Sequence, residues 1–134
     1  MVGPVLVVED NDDCRTITAL FLRRLGYSII ESRDGVEAIE KAVSEHPRLI
    51  LMDFKMPRMN GSEAASRLKE DPTTRDIPIV ICTAFGPEGY KNTDLVKHAA
   101  DIVQKPLKLE VLRVLVQKYL PMPATDTRRD SLAV

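Results

Sequence analysis

The sequence predicts an α/β fold, a doubly wound five-stranded parallel sheet with helices on both faces. Three observations carry that prediction. Short apolar runs alternate with segments of helical period from the N-terminus to about residue 120. The central run, Leu49-Ile50-Leu51-Met52, is apolar at every position, as in a strand covered on both faces. Two of the runs end in carboxylates, Glu9-Asp10 and Asp53, at the strand edge where open α/β sheets present side chains to ligands.

Residues 5–8 read as the first strand, and residues 12–25 as a helix with Ile17, Leu20, Phe21 and Leu25 on its apolar stripe. Asn11, Asp12 and Asp13 suit the start of that helix and Gly26 its stop. Residues 27–31 form a short second strand. Asp34-Gly35 opens a helix that runs to Glu45, with Val36, Ile39 and Val43 facing inward and Pro47 ending the segment. Residues 49–53 are the third strand. A helix over about 62–70 follows, broken by Asp71-Pro72, and residues 77–82 are the fourth strand. Between residues 87 and 97 a helix is expected on few apolar anchors: Tyr90, Leu95 and Val96. Residues 102–104 are the fifth strand and 107–120 the last helix. In that helix Leu109, Leu112 and Val116 are expected to face the sheet, with Val111 and Val114 on the flank. Residues 1–120 thus form one domain. Residues 121–134 are a polar tail, opened by Pro121-Met122-Pro123, that is expected to be disordered.

Composition narrows the function. The 134 residues are 44% hydrophobic and 29% charged, with a net charge of −1. That suits a globular core and gives no global electrostatic reason to bind nucleic acid. No apolar stretch is long enough to span a bilayer, and no signal peptide is visible, so a cytoplasmic location is expected. Cys14 and Cys82 read as two reduced thiols, Cys82 as a small buried hydrophobe. His46 and His98 read as surface or cap residues, His98 in the left-handed position after the fourth helix.

The chemistry lies at the strand ends. Glu9-Asp10 alone is equally a helix N-cap. With Asp53 on a neighbouring strand, three carboxylates meet, and they stay ionised together if a hard divalent cation sits among them. Mg²⁺ takes oxygen ligands and keeps waters, so two or three carboxylates suffice. The cluster contains no histidine or thiolate, which argues against zinc. Thr83 and Lys105 each follow a strand and point toward the same crevice, a hydroxyl and an ammonium of the kind that surround a phosphoryl group. Asp53 is then a candidate nucleophile for an aspartyl phosphate.

Glu9-Asp10, Asp53 with Met56-Pro57-x-Met59-x-Gly61, Thr83-Ala84 and Lys105-Pro106 stand in order over nearly the whole chain, with 30 residues from Asp53 to Thr83 and 22 from Thr83 to Lys105. In these blocks the chain resembles the receiver domains of response regulators in two-component signalling. The resemblance implies a flavodoxin-like sheet of strand order 2-1-3-4-5. It implies Asp53 as acceptor of a phosphoryl group from a histidine kinase or phosphotransfer protein. It also implies Mg²⁺ held by Glu9 (directly or through a water), Asp10, Asp53 and the backbone carbonyl of Lys55. Thr83 and Lys105 would grip the phosphoryl oxygens, and the Lys105–Pro106 peptide would be cis. Output would run through protein contacts, a downstream partner or a homodimer at the Val111/Val114 region. Direct DNA binding is not expected, because the tail is too short to fold as a DNA-binding module.

The chain departs from that pattern in places. Ile102 stands where receivers usually carry an aromatic three residues before the lysine, and a branched aliphatic cannot swing a ring between two states. The switch is therefore expected in the segment around residues 85–97. Lys55 and Phe85, each two residues past a site residue, are expected to slow hydrolysis of an aspartyl phosphate. A phosphatase with an aspartyl nucleophile is the enzymatic rival, but it would need an acid two residues after Asp53, where Lys55 stands. A phosphorylation-independent interaction domain is the other rival, and the intact acidic set counts against it.

Overall fold

The computed structural model describes residues 2–84, 86, 88 and 95–121. Strands β1 (Val2–Val8), β2 (Tyr27–Ser32), β3 (Leu49–Asp53), β4 (Ile79–Thr83) and β5 (Asp101–Gln104) alternate with helices α1 (Asp12–Arg24), α2 (Gly35–Glu45), α3 (Gly61–Glu70), α4 (Leu95–His98) and α5 (Leu109–Tyr119). All neighbouring strands are parallel, in the order β2-β1-β3-β4-β5. The expected sheet and its order are both present. Most of the helix expected over 87–97, with Tyr90, lies outside the described residues, as does the tail from residue 122.

Strand alternation divides the core in two. Leu6, Val8, Ile50, Met52, Ile79 and Ile81 pack against α2 and α3. Val5, Val7, Leu49, Leu51 and Val80 pack against α1 and α5. The unbroken apolar run of β3 is explained by this two-sided cover, since each of Leu49 to Met52 is at most 3% exposed.

Helix ends follow local chemistry. Asn11 caps α1 by accepting from the Cys14 amide at 2.9 Å, and Gly26 stops it with φ 103°. Asp34 caps α2 through the Glu37 amide at 2.8 Å, and Asn60 caps α3 through Glu63 at 2.9 Å. The left-handed cap expected at His98 falls instead on His46, exposed at the end of α2 with φ 49°, while His98 is the last helical residue of α4.

The buried helix faces differ from those the apolar stripes suggested. On α1 the inward residues are Arg15, Ala19 and Leu22, whereas Ile17 and Leu20 are 58% and 53% exposed. At 100° per residue Ile17 stands roughly 140° around the helix from Leu22, so both cannot face the sheet. On α2 the buried residues are Ala38 and Ala42, while Val43 is 40% exposed. Small side chains let α2 approach Ala64 and Ala65 of α3, and a reading weighted by side-chain bulk misses such contacts. On α5 Leu112 and Val116 face the sheet as expected, but Leu115 joins them in place of Leu109, which is 47% exposed. Val111 and Val114 stand exposed on the flank.

Candidate functional site

Register brings the strand ends together. Val8 pairs with Met52, Asp53 with Cys82, and Thr83 with Gln104. The next residues, Glu9 after β1 and Lys105 after β5, therefore emerge beside Asp53 at the carboxyl edge of the sheet. Side chains two apart along a strand share a face. Glu9, Asp53 and Lys105 accordingly line one cavity of about 520 Å³ above the α1/α5 side, together with Val7, Leu51 and Cys82.

Within that crevice, carboxylate oxygens of Glu9, Asp10 and Asp53 all lie within 4.8 Å of one another. The Glu9 and Asp53 side chains are only 11% and 12% exposed. Lys105 Nζ is 2.7 Å from Glu9 Oε1 and 3.2 Å from Asp53 Oδ1. Burial works against the charge of Lys105, but the hydrogen bond to Glu9 and the charges of Asp53 and Glu9 outweigh it, so its pKa lies above the ordinary lysine value. Asp10 is more exposed, and its pKa is raised by partial burial and then by the neighbouring Glu9. Among the described residues one ammonium thus faces three carboxylates, an excess of negative charge that suits a divalent cation.

Backbone bonds hold the loops that carry these groups. The Glu9 amide donates to the Ser32 carbonyl at 3.0 Å, and the Phe54 amide to the Cys82 carbonyl at 2.9 Å. The Lys105 amide donates to the Thr83 carbonyl at 2.7 Å, and the Lys105–Pro106 peptide is cis, as the resemblance implied. Gly61 donates to the Phe54 carbonyl, and a Cβ at Gly61 would fall 2.8 Å from the Asp53 carbonyl oxygen. The motif glycine is therefore a space requirement: α3 starts against the backbone of the acidic strand end. Arg58, in the left-handed region with φ 68°, donates to Asp34 at 3.0 Å and ties this loop to the start of α2.

The site residues read from the sequence thus converge to different degrees. Glu9, Asp53 and Lys105 are in contact, and Asp10 is within ligand distance. Thr83 ends β4 one position past the partner of Asp53; it is buried and is not among the residues lining the cavity that Glu9, Asp53 and Lys105 share. Lys55 is exposed in the loop after Asp53, and Phe85 lies outside the described residues. The N-cap reading of Glu9-Asp10 gives way, because Asn11 does the capping. Ile102 packs into the α2/α3 core. Cys14 and Cys82 are free thiols, and burial pushes the Cys82 thiol up to about 12, which keeps it protonated and inert.

Sequence reasoning missed Arg15, whose guanidinium donates to the Glu9 carbonyl. Its signal was present as a charge at i, i+4, i+7 spacing with Ala19 and Leu22, inside the buried face of α1.

Comparison with known proteins agrees with this geometry. The family model of the response regulator receiver domain matches residues 5–117. The polar-differentiation response regulator DivK of Brucella ovis is 32% identical over 120 residues, covering 90% of this chain and 98% of that protein. The receiver domain of the sensor histidine kinase PA1611 from Pseudomonas aeruginosa, solved with a magnesium ion in its active-site cleft, superposes with a TM-score of 0.82 at 29% identity, over 89% of this chain and 98% of that one. The response regulator TrrA of Thermotoga maritima, solved with Mg²⁺ and BeF, gives 0.78 at 27% identity, over 87% of this chain and 98% of that one. The chain belongs to the response regulator receiver domain family of two-component signalling.

Proposed function

We propose that this chain is a phosphoacceptor switch in which Asp53 takes a phosphoryl group from a histidine kinase or phosphotransfer protein. The observation that carries the reading is the convergence of Glu9, Asp10 and Asp53 within 4.8 Å against the ammonium of Lys105. That donor set fits Mg²⁺, which Glu9, Asp10, Asp53 and the Lys55 carbonyl would hold. When bound, Mg²⁺ supplies the positive charge that neutralises phosphoryl oxygens.

The chain's own residues do the rest. A carboxylate oxygen of Asp53 attacks phosphorus as the phosphorus–nitrogen bond of the donor phosphohistidine breaks, and the electron pair leaves on the imidazole nitrogen. Lys105, held beside Asp53 by Glu9, stabilises charge developing on the transferred group. Thr83, buried at the end of β4, is assigned the hydroxyl to the phosphoryl oxygens on the strength of the family pattern. Lys55 stands where a phosphatase of this kind needs an acid, so turnover is confined to the chain's own aspartyl phosphate.

Residues 1–120 form the receiver unit; the expected tail lies, from residue 122 onward, outside the described residues. Output runs through protein contacts, and exposed Val111 and Val114 on α5 suit a downstream partner or a homodimer. Among the described residues no helix is long and apolar enough to cross a membrane, and a cytoplasmic site of action follows from the kinase-dependent role. The reading is tested by intact mass after incubation with acetyl phosphate, with and without Mg²⁺, beside Asp53→Ala. A Mg²⁺-dependent gain of one phosphoryl group, lost in the variant, is expected. No gain by acetyl phosphate, together with no tight binding of beryllofluoride and Mg²⁺, would overturn it.

A further inference from the structure

Arg15 is buried on the sheet-facing side of α1, at 8% exposure. A guanidinium taken from water in this way needs partners, and two of its three lie outside its own helix. Nη1 donates to the backbone carbonyl of Glu9 at 2.9 Å. Nη2 pairs with Asp12 Oδ1 at 2.6 Å, and Nε stands 3.4 Å from Glu31 Oε1 on β2. Glu31 is itself paired with Arg23 at 3.3 Å, and its carbonyl accepts from Lys41 of α2. Arg15 therefore ties the loop after β1 to a strand that is braced from both faces of the sheet.

The position of the bond matters. The carbonyl of Glu9 belongs to the peptide that joins Glu9 to Asp10. On the other side of Glu9, its amide is held by the Ser32 carbonyl at 3.0 Å. Glu9 is thus fixed by a backbone bond at each end, and only Arg15 supplies the second among the bonds described here. The plane of the Glu9–Asp10 peptide sets the directions in which the two carboxylates leave the chain. A displacement of that peptide would move the two carboxylates, which lie with Asp53 within 4.8 Å of one another.

We propose that Arg15 is a positioning residue for the divalent cation: it orients the Glu9–Asp10 peptide so that both carboxylates converge on Asp53. This rests on the reading of those carboxylates as metal ligands. Arg15 touches neither the cation nor the reacting atoms, so its loss should weaken metal binding and leave the chemistry at saturation intact. Groups that orient metal ligands commonly contribute about 10- to 100-fold in affinity.

The test is calorimetric titration of the full chain with MgCl₂, comparing wild type, Arg15→Met and Arg15→Lys, with urea denaturation in EDTA alongside. Arg15→Met is expected to weaken Mg²⁺ binding about tenfold or more. It should raise the Mg²⁺ concentration needed for half-maximal phosphorylation by acetyl phosphate in the same proportion, with the rate at saturating Mg²⁺ within about twofold of wild type. Arg15→Lys keeps one cationic donor and should recover part of the affinity. If Arg15→Met fails to fold, Arg15→Lys carries the test through a smaller loss of affinity. Unchanged affinity in a folded Arg15 variant, with wild type binding normally, would overturn the positioning role alone. A wild-type chain that binds no Mg²⁺ would overturn the metal reading and this role together.

Discussion

Removing the Asp10 carboxylate should make the metal-free protein more stable while abolishing the stabilisation that Mg²⁺ confers. Its oxygen lies within 4.8 Å of ligand oxygens of both Glu9 and Asp53. Two unit charges at that separation repel by about 3.5 kcal/mol at an effective dielectric of 20 and by about 0.9 kcal/mol in water. Asp10 is exposed, so screening holds the figure near the water limit. Lys105 returns part of it by attraction. Two repulsive pairs less that attraction leave about 1 kcal/mol gained by Asp10→Asn. For a fold of this size the gain corresponds to a Tm higher by about 4 °C. The assay is thermal and urea denaturation of both proteins in EDTA at low salt, repeated in 0.5 M NaCl and in Mg²⁺. Salt should shrink the difference, because the Debye length falls. Mg²⁺ at ten times its Kd adds about 1.4 kcal/mol to wild type and little to the variant, so their order of stability reverses. An Asp10→Asn protein less stable than wild type in EDTA, or equally stabilised by Mg²⁺, would refute the reasoning.

Lys105→Met removes the cation that bridges Glu9 and Asp53, and phosphorylation of Asp53 should slow on the order of 10²-fold in a time course by mass spectrometry. Gly61→Ala places a Cβ 2.8 Å from the Asp53 carbonyl and 3.0 Å from Phe54 Cα, so it should cost about 1–3 kcal/mol in urea denaturation and slow phosphorylation as Asp53 shifts. Asp101 accepts from Tyr119 at 2.5 Å and Lys118 at 2.9 Å, which hold its carboxyl below the usual range. A depressed pKa stabilises above the unfolded value of 3.8 and is lost as pH falls through the folded one. Asp101→Asn should therefore cost about 1 kcal/mol at neutral pH, and its gap from wild type should close below about pH 4 in acid denaturation. Lys55→Asn and Phe85→Glu should each speed loss of the phosphoryl group from Asp53 severalfold, as followed by intact mass; unchanged rates would remove these two side chains from the account of its lifetime.

The candidate site was legible because its chemistry is carried by residue type and place at once. Glu9, Asp53 and Lys105 each terminate or follow a strand, and parallel strands with aligned register must bring such ends together. The residues that orient the site were harder to read. Arg15 reads in sequence as one more charge off the apolar stripe of α1, and the backbone carbonyl of Glu9, six residues earlier, gives it meaning. Arg58 likewise reads as a loop residue until its partner Asp34, 24 positions away, is seen.

What the sequence alone determined was alternation, the order of elements and the carboxylate edge, since these rest on local period, turn residues and strand parity. The tertiary structure decided which face of each helix is buried. Ile17 and Leu20 stand exposed while Ala19, Ala38 and Ala42 are sealed, because close approach of a helix to a sheet or to another helix selects small side chains over bulky ones. It also decided that Asn11 caps α1, leaving Glu9 and Asp10 to converge on Asp53. Period measures how apolar a face is; only packing in three dimensions settles what that face meets.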